Sequence, residues 1–229
     1  FQYSRGYFDE YLNFIFFLSI SSFNVFGILF AGWSSNSKYA LLGGIRGVAQ
    51  ILSFEMSFIT LLLPIFLLNS SYNIVELSIL QKNYWHIFLF LPSSIYFFIV
   101  ILAETNRIPF DLPEAEAELV AGYNVEYSAM TFALFFLGEY AFMILMAAMF
   151  AILFLGGWLP PMDIAPLNMI PGPIWFGAKI AFGLFIFLWV RATFPRYRYD
   201  QLMRVGWKFM FPLAILNIFV TGLLKLLFI

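Results

Sequence analysis

Long apolar runs alternate with short polar connections along the whole chain. The runs cover roughly 11–33, 47–69, 84–103, 129–157, 174–190 and 209–229. Each is long enough to cross the ~30 Å hydrocarbon layer as a helix, which takes about 17–25 residues. The pattern therefore predicts an all-α, polytopic membrane bundle of about six transmembrane helices. The fourth run has length to spare for tilting or kinking. Pro64 and Pro92 fall inside runs, where neighbouring helices can satisfy the carbonyls that a proline frees. No repeat is evident and no polar linker divides the chain, so residues 1–229 read as a single integral-membrane domain.

Six spans sort the connections onto two faces. One face carries Lys38, Arg46, Arg107, Arg191, Arg196, Arg198, Arg204 and Lys208; the other carries Arg5, Lys82, Lys179 and Lys225. The basic excess places the first face inside, in the matrix of a mitochondrion or the cytoplasm of a bacterium. The opening residues carry Asp9 and Glu10 and the following run is too long for a signal h-region, so no signal peptide is expected.

Composition supports the lipid reading. Apolar residues make up 62% of the chain and charged residues 11%, with a net charge of −1. That balance leaves no basic field to gather phosphates, so a nucleic-acid partner is not expected. With no cysteine and only His86, the chain cannot by itself build a disulfide framework, an iron–sulfur cluster or an ordinary zinc or haem site. Any electron carriers belong to partner chains. The use of 31 Phe, with frequent Ile, Asn and Tyr, suits an AT-rich organellar gene.

Acid is concentrated in one inside connection, "ETNRIPFDLPEAEAELVAGYNVE", residues 104–126, which holds Glu104, Asp111, Glu114, Glu116, Glu118 and Glu126. Pro109 disfavours helix at Ile108. Asp111 reads as an N-cap, with Pro113 in the first turn and Glu114 at the third helical position, predicting a short helix over about 112–121. Glu114 and Glu118 would stack four apart and repel. Two roles stay open: a solvated acidic helix gripping a basic partner, or a chain of protonatable groups.

Two further acids lie within spans. Glu55 and Glu139 stand about eight and ten residues in from the inside face, roughly 12–15 Å deep at 1.5 Å per residue. An intramembrane charge costs at least ~2.5–3.5 kcal/mol, so such acids usually face a polar interior and serve a pathway. Desolvation favours the protonated acid, which suits a relay; structural glue between helices is the alternative. Arg46, Gln50, Ser53 and Ser57 form a polar stripe at helical spacing, with Glu55 roughly opposite.

The remaining motifs read more simply. "VRATFPRYRYDQLMRVGWK", residues 190–208, alternates arginines with aromatics, as an orientation anchor with an interface belt does; it also complements an acidic helix or partner. His86, in "YWH", reads as part of an aromatic belt. "LLGG" at 41–44 is a turn or close-packing site, since no phosphate-loop pattern accompanies it.

Three inside segments together carry a resemblance. "GWSSNSKYALLGGIRGVAQILSFE" (32–55), "AETNRIPFDLPEAEAELVAGYNVEY" (103–127) and "VRATFPRYRYDQLM" (190–203) resemble the signature blocks of the subunit 1 family of NADH:quinone oxidoreductase, respiratory complex I. The match runs in order from about residue 10 to the C-terminus. Membrane-bound hydrogenases carry a similar subunit, but blocks this complete favour complex I. The resemblance implies a membrane anchor for the redox arm that helps two hydrophilic subunits build a quinone-reduction chamber. It also implies an acidic line toward the proton-pumping subunits. The chain then acts within a proton-translocating NADH:ubiquinone reductase, with no catalysis expected from it in isolation.

Positions matching the family's acidic line are Glu55, Glu104, Asp111, Glu114, Glu116, Glu118, Glu126 and Glu139. Basic positions near the chamber match at Arg46, Arg107, Arg191, Arg196 and Arg198. The resemblance implies ubiquinone as substrate, FMN and iron–sulfur clusters on partner subunits, and no cofactor on this chain. Partners would be the hydrophilic quinone-site subunits, neighbouring membrane subunits, quinone and lipid, in the mitochondrial inner membrane or a bacterial plasma membrane. A purely structural anchor is the competing role. Two departures stand out. Ala115 and Ala117 occupy places where the family usually has Gly and Ser. The family's first span, a basic loop containing Gly-Pro-Asn and an in-plane helix have no counterpart here. A separate N-terminal fragment is therefore expected as a partner, with truncation as the alternative.

Overall fold

The structure is a computed structural model that describes residues 13–82, 84–112, 122–161 and 170–228. All regular structure among these residues is helical. In chain order the helices are α1 (Asn13–Ser22), α2 (Asn24–Ser34), α3 (Lys38–Asn69), α4 (Ile74–Leu80), α5 (His86–Leu89), α6 (Leu91–Glu104), α7 (Ala129–Phe154), α8 (Gly172–Thr193), α9 (Tyr199–Val205) and α10 (Phe211–Phe228). Gly122–Asn124 forms a 3-10 turn, and a π-helical turn over Gly206–Met210 joins α9 to α10. Five stretches among the described residues are long and apolar enough to cross a membrane: Phe14–Ser34, Lys38–Asn69, Ala129–Phe154, Gly172–Thr193 and Tyr199–Leu227. The all-α, polytopic bundle is as the sequence predicts.

The third expected span differs. It is not one helix over 84–103 but the single turn α5 followed by the 14-residue α6. Pro92 sits in the first turn of α6, and Phe90 leaves helical geometry at φ −122°, ψ 44°. A proline is tolerated there because its missing N–H would have had no intrahelical partner. At 1.5 Å per residue α6 alone is about 21 Å long, shorter than the ~30 Å hydrocarbon layer.

The long helix α3 is the hub, packed against α2, α6 and α10. Its first turns depend on glycine. A Cβ at Gly32 would lie 2.9 Å from the Ala40 carbonyl oxygen, and one at Gly43 would lie 3.0 Å from the Gly122 backbone. "LLGG" is thus a close-packing site inside a helix and not a turn. Deeper in, Phe54, Phe58, Leu61 and Leu62 of α3 meet Phe97 and Ile101 of α6 and Phe154 of α7. Phe58 and Phe97 stack at 5.1 Å. Since lipid tails are as apolar as leucine, van der Waals fit, more than transfer from water, holds such helices together. The outward faces stay apolar, as at Phe219 and Leu226.

The end of the bundle opposite the acidic connection is closed by side chains that cap helix C-termini. Lys179 of α8 donates to the carbonyls of Leu155 (2.6 Å), Gly157 (2.9 Å) and Leu159 (2.6 Å) beyond α7. Its ammonium also lies 4.6 Å from the Trp85 ring centroid. His86 Nδ1 is 3.0 Å from the Leu153 carbonyl, and Gln81 donates to that of Ile152. Lys225 of α10 reaches the Leu67 carbonyl at 2.6 Å, near the end of α3. Orphan carbonyls and the negative end of the helix dipole both favour a cation here.

Candidate functional site

The connection leaving α6 is tightly built. Glu104 is the last residue of α6, and Thr105 closes the helix by bonding back to the Ile101 carbonyl. Asn106 takes the left-handed conformation, and Arg107 N–H returns to the Leu102 carbonyl. The Ile108–Pro109 peptide is cis. Gln50 of α3 then pins both ends, its Nε2 donating to the carbonyls of Ala103 (2.8 Å) and Phe110 (2.7 Å). From the turn before α9, Tyr197 N–H bonds the Pro109 carbonyl and its ring stacks on Phe110 at 5.6 Å. Arg196 of the same turn pairs with Asp111 at 3.0 Å. The helix expected over 112–121 lies outside the described residues from position 113 onward, and so do Glu114, Glu116 and Glu118.

Beneath this connection three acids from three helices converge. Glu104 is 4% exposed, and its Oε2 has no hydrogen-bond partner among the described residues. Glu55 on α3 is close enough to act on it through its charge. Glu139 of α7 is held from two sides: Tyr123 donates to its Oε1 at 2.9 Å, and Arg107 Nη2 lies 3.3 Å from its Oε2. The Arg107 guanidinium also covers the Tyr140 ring, 4.5 Å from its centroid. Glu104 and Glu139 line one cavity of about 150 Å3, together with Asn24, Thr105, Asn106 and Tyr123. That volume has room for several waters.

A second cavity of about 310 Å3 adjoins the first through Asn106. Arg107, Arg191 and Arg196 face it with Asp111 and Asn124, and Phe132, Phe136 and Tyr140 supply its aromatic wall. A third, apolar cleft of about 450 Å3 runs between α6 and α8, from Ile87 at one end to Phe110 and Tyr197 at the other. Its inner end therefore touches the pinned connection. The arrangement offers two kinds of chemistry side by side: desolvated acids able to exchange protons, and a basic, aromatic pocket able to hold something electron-rich.

Not every sequence-selected residue joins this cluster. Glu126 is exposed. Arg46 lies over the Tyr199 ring at 5.8 Å, and Arg198 makes a surface pair with Asp200 at 3.5 Å. The polar stripe of α3 is used: besides Gln50, Ser53 accepts from Trp207 Nε1 at 3.1 Å. Sequence reasoning missed Tyr123 and Asn106. Tyr123 is delivered by Gly122 at φ +62°, and a glycine before an aromatic in an acidic connection was the only available signal. Among the described residues, no group of three His, Cys, Asp or Glu could hold a metal ion.

Comparison with known proteins adds an independent line. A family model described as NADH dehydrogenase matches residues 4–222. The chain is 56% identical over 214 residues to an NADH-quinone oxidoreductase subunit of Rhodospirillum centenum, covering 93% of this chain and 64% of that protein. It is 54% identical over 219 residues to the NADH-ubiquinone oxidoreductase chain 1 of Chondrus crispus, covering 95% and 67%. Against the chain 1 protein of Arabidopsis thaliana it is 53% identical over 225 residues, covering 98% and 69%. The chain thus spans about two thirds of the length of such relatives.

Proposed function

The chain belongs to the NADH dehydrogenase family, and on that premise we propose that it is a core membrane subunit of a proton-pumping NADH:ubiquinone oxidoreductase. In this reading its basic pocket borders the quinone-reduction chamber and its acids couple that reaction to proton movement. Ubiquinone is the substrate of the assembled complex, and FMN and iron–sulfur clusters are carried by partner subunits. The chain works in the mitochondrial inner membrane or a bacterial plasma membrane, beside hydrophilic quinone-site subunits and neighbouring membrane subunits.

One observation carries the reading: Glu104, a buried acid with one oxygen unpartnered among the described residues, lines a cavity with Glu139, whose own partners are an arginine and a tyrosine. A purely structural acid would be expected to complete its hydrogen bonds, because an unmet buried polar group costs about 1–3 kcal/mol. An unmet acid beside room for water suits a site that loads and releases a proton. Reducing a quinone creates negative charge that must take up protons. Charge of that kind near Arg107, Arg191 and Arg196 competes with Glu139 for Arg107 and loosens the pair. The proton then has Glu104 and Glu55 as successive stations. The apolar cleft ending at Phe110 and Tyr197 supports the reading further, because it fits a hydrocarbon tail.

The test uses the assembled complex in membrane vesicles. Glu104→Gln and Glu139→Gln should each slow coupled quinone reduction and proton uptake while the complex still assembles on native gels. Full turnover and pumping in both variants would remove the relay. A second reading, a docking scaffold, is favoured by the Gln50, Tyr197 and Arg196 contacts that fasten the connection. It requires instead that the variants fall apart without an intermediate slow enzyme.

A further inference from the structure

We propose that Tyr123 is a positioning residue for proton loading at Glu139: its hydroxyl keeps hold of the carboxyl group while Arg107 lets go. This role rests on the relay reading above and adds to it a neutral group that bonds the acid in either of its protonation states.

Glu139 meets two partners of different chemistry. Tyr123 donates to its Oε1 at 2.9 Å. Arg107 Nη2 lies 3.3 Å from its Oε2, close enough to attract it by charge, yet that nitrogen completes no hydrogen bond among the described residues. The aligned bond is therefore the tyrosine's, and the arginine makes the looser contact. A guanidinium has five donors and no acceptor, so it suits only the carboxylate. A phenol both donates and accepts, so it can bond Glu139 whether the acid is ionised or protonated. Negative charge in the basic pocket competes for Arg107, but it exerts far less pull on a neutral hydroxyl at the other oxygen.

Backbone contacts place the tyrosine. Gly122–Asn124 is a buried 3-10 turn, and Gly122 takes φ +62°, a conformation glycine adopts without strain. A Cβ at Gly43 of α3 would lie 3.0 Å from Gly122 Cα and from Tyr123 N, so that bare position lets the turn seat directly on α3. Gly43 stands about two helical turns before Gln50 and so on the same face. One face of α3 thereby holds both ends of the acidic connection, Gln50 the entry and Gly43 the exit. The Tyr123 ring packs edge-on against Phe135 at 5.7 Å, one turn before Glu139 on α7. A buried tyrosine hydroxyl usually finds a partner. With backbone and ring both fixed, this one is carried to an acid that lines the same cavity.

Tyr123→Phe in the assembled complex, assayed in membrane vesicles, tests this, with Tyr127→Phe as the control. The Tyr127 hydroxyl belongs to the same segment but donates to the Ala31 carbonyl at 3.0 Å instead of to an acid. Both complexes should assemble at the parental yield. Tyr123→Phe should lower kcat for coupled quinone reduction several-fold with KM for ubiquinone unchanged, and Tyr127→Phe should change neither. In infrared difference spectra of quinone reduction, the carboxyl C=O band that Glu139→Gln removes should shift in Tyr123→Phe, because its hydrogen bond is gone, and hold its place in Tyr127→Phe. Unchanged kcat and an unmoved band in Tyr123→Phe would overturn the role. So would equal losses in the two variants, or failure of Tyr123→Phe alone to assemble, since the hydroxyl would then serve structure. If Glu139→Gln keeps full turnover and pumping and removes no such band, the relay fails and takes this role with it. If Glu139→Gln slows turnover and Tyr123→Phe does not, only the role of Tyr123 is lost.

Discussion

Arg107 and Glu139 meet at 3.3 Å with side chains only 11% and 18% exposed, although one stands in a connection and the other midway along α7. The pair ties the turn after α6 to the helix that follows it. Breaking a buried pair on one side typically costs about 3–5 kcal/mol, because the remaining charge is stranded. Arg107→Met should therefore lower the yield of assembled complex sharply. The double variant Arg107→Met with Glu139→Gln should regain much of that loss, since no charge is left unopposed. Native-gel yields of the two single variants and the double variant decide the matter. Strict additivity would mean that the two side chains do not act on each other.

Gln50 makes a second prediction. Its single amide group serves two carbonyls, those of Ala103 and Phe110, and it is fully buried. Gln50→Leu keeps much of the volume but leaves both carbonyls to other contacts, at about 1–3 kcal/mol for each buried group left unmet. Amides of Thr105 to Phe110 should then exchange hydrogen faster, while those in the middle of α3 change little. Equal protection in the variant would show that the Tyr197 and Arg196 contacts alone hold the connection.

Much of the bundle is legible in the apolar pattern because a span must be a helix of fixed minimum length. Ala129–Phe154 and Gly172–Thr193 lie within a few residues of their expected limits. Less legible are the places where sequence distance and spatial distance part. The pattern shows Pro92 but not that Phe90 breaks the helix before it. It shows Gly43 and Gly44 but not that Gly122 and Gly32 are the backbones they admit. In the site, the presence of Glu55, Glu104 and Glu139 is plain from sequence, because an acid in oil is costly. Their convergence is not, because it depends on how α3, α6 and α7 pack. Tyr123 escapes notice for the same reason: nothing local announces that its hydroxyl reaches Glu139.

Lys179 yields a prediction at the other end of the bundle. All three of its N–H donors go to carbonyls at the end of α7. Hydrogen bonds to charged groups contribute roughly 1.5–3 kcal/mol each, and they are not additive. Lys179→Met should lower the temperature of half-inactivation of the complex, with little effect on initial quinone reductase rate below that temperature. Lys225→Met removes a smaller cap, with one carbonyl and the Ser70 hydroxyl as acceptors, and should cost less. A reversed order would indicate that the exposed lysine carries the tighter clamp.

Glu104 separates stability from work. A carboxyl group whose second oxygen finds no donor among the described residues is held at a cost, and replacing it by an amide removes the exchangeable proton while nearly preserving shape. Glu104→Gln should therefore leave thermal inactivation unchanged or shift it upward, even as it slows coupled turnover. An acid kept for packing would behave oppositely, with heat resistance falling and the rate surviving in the fraction that remains folded. Measuring both quantities on one preparation separates the cases, since only a group retained for its proton gives a more robust but slower complex.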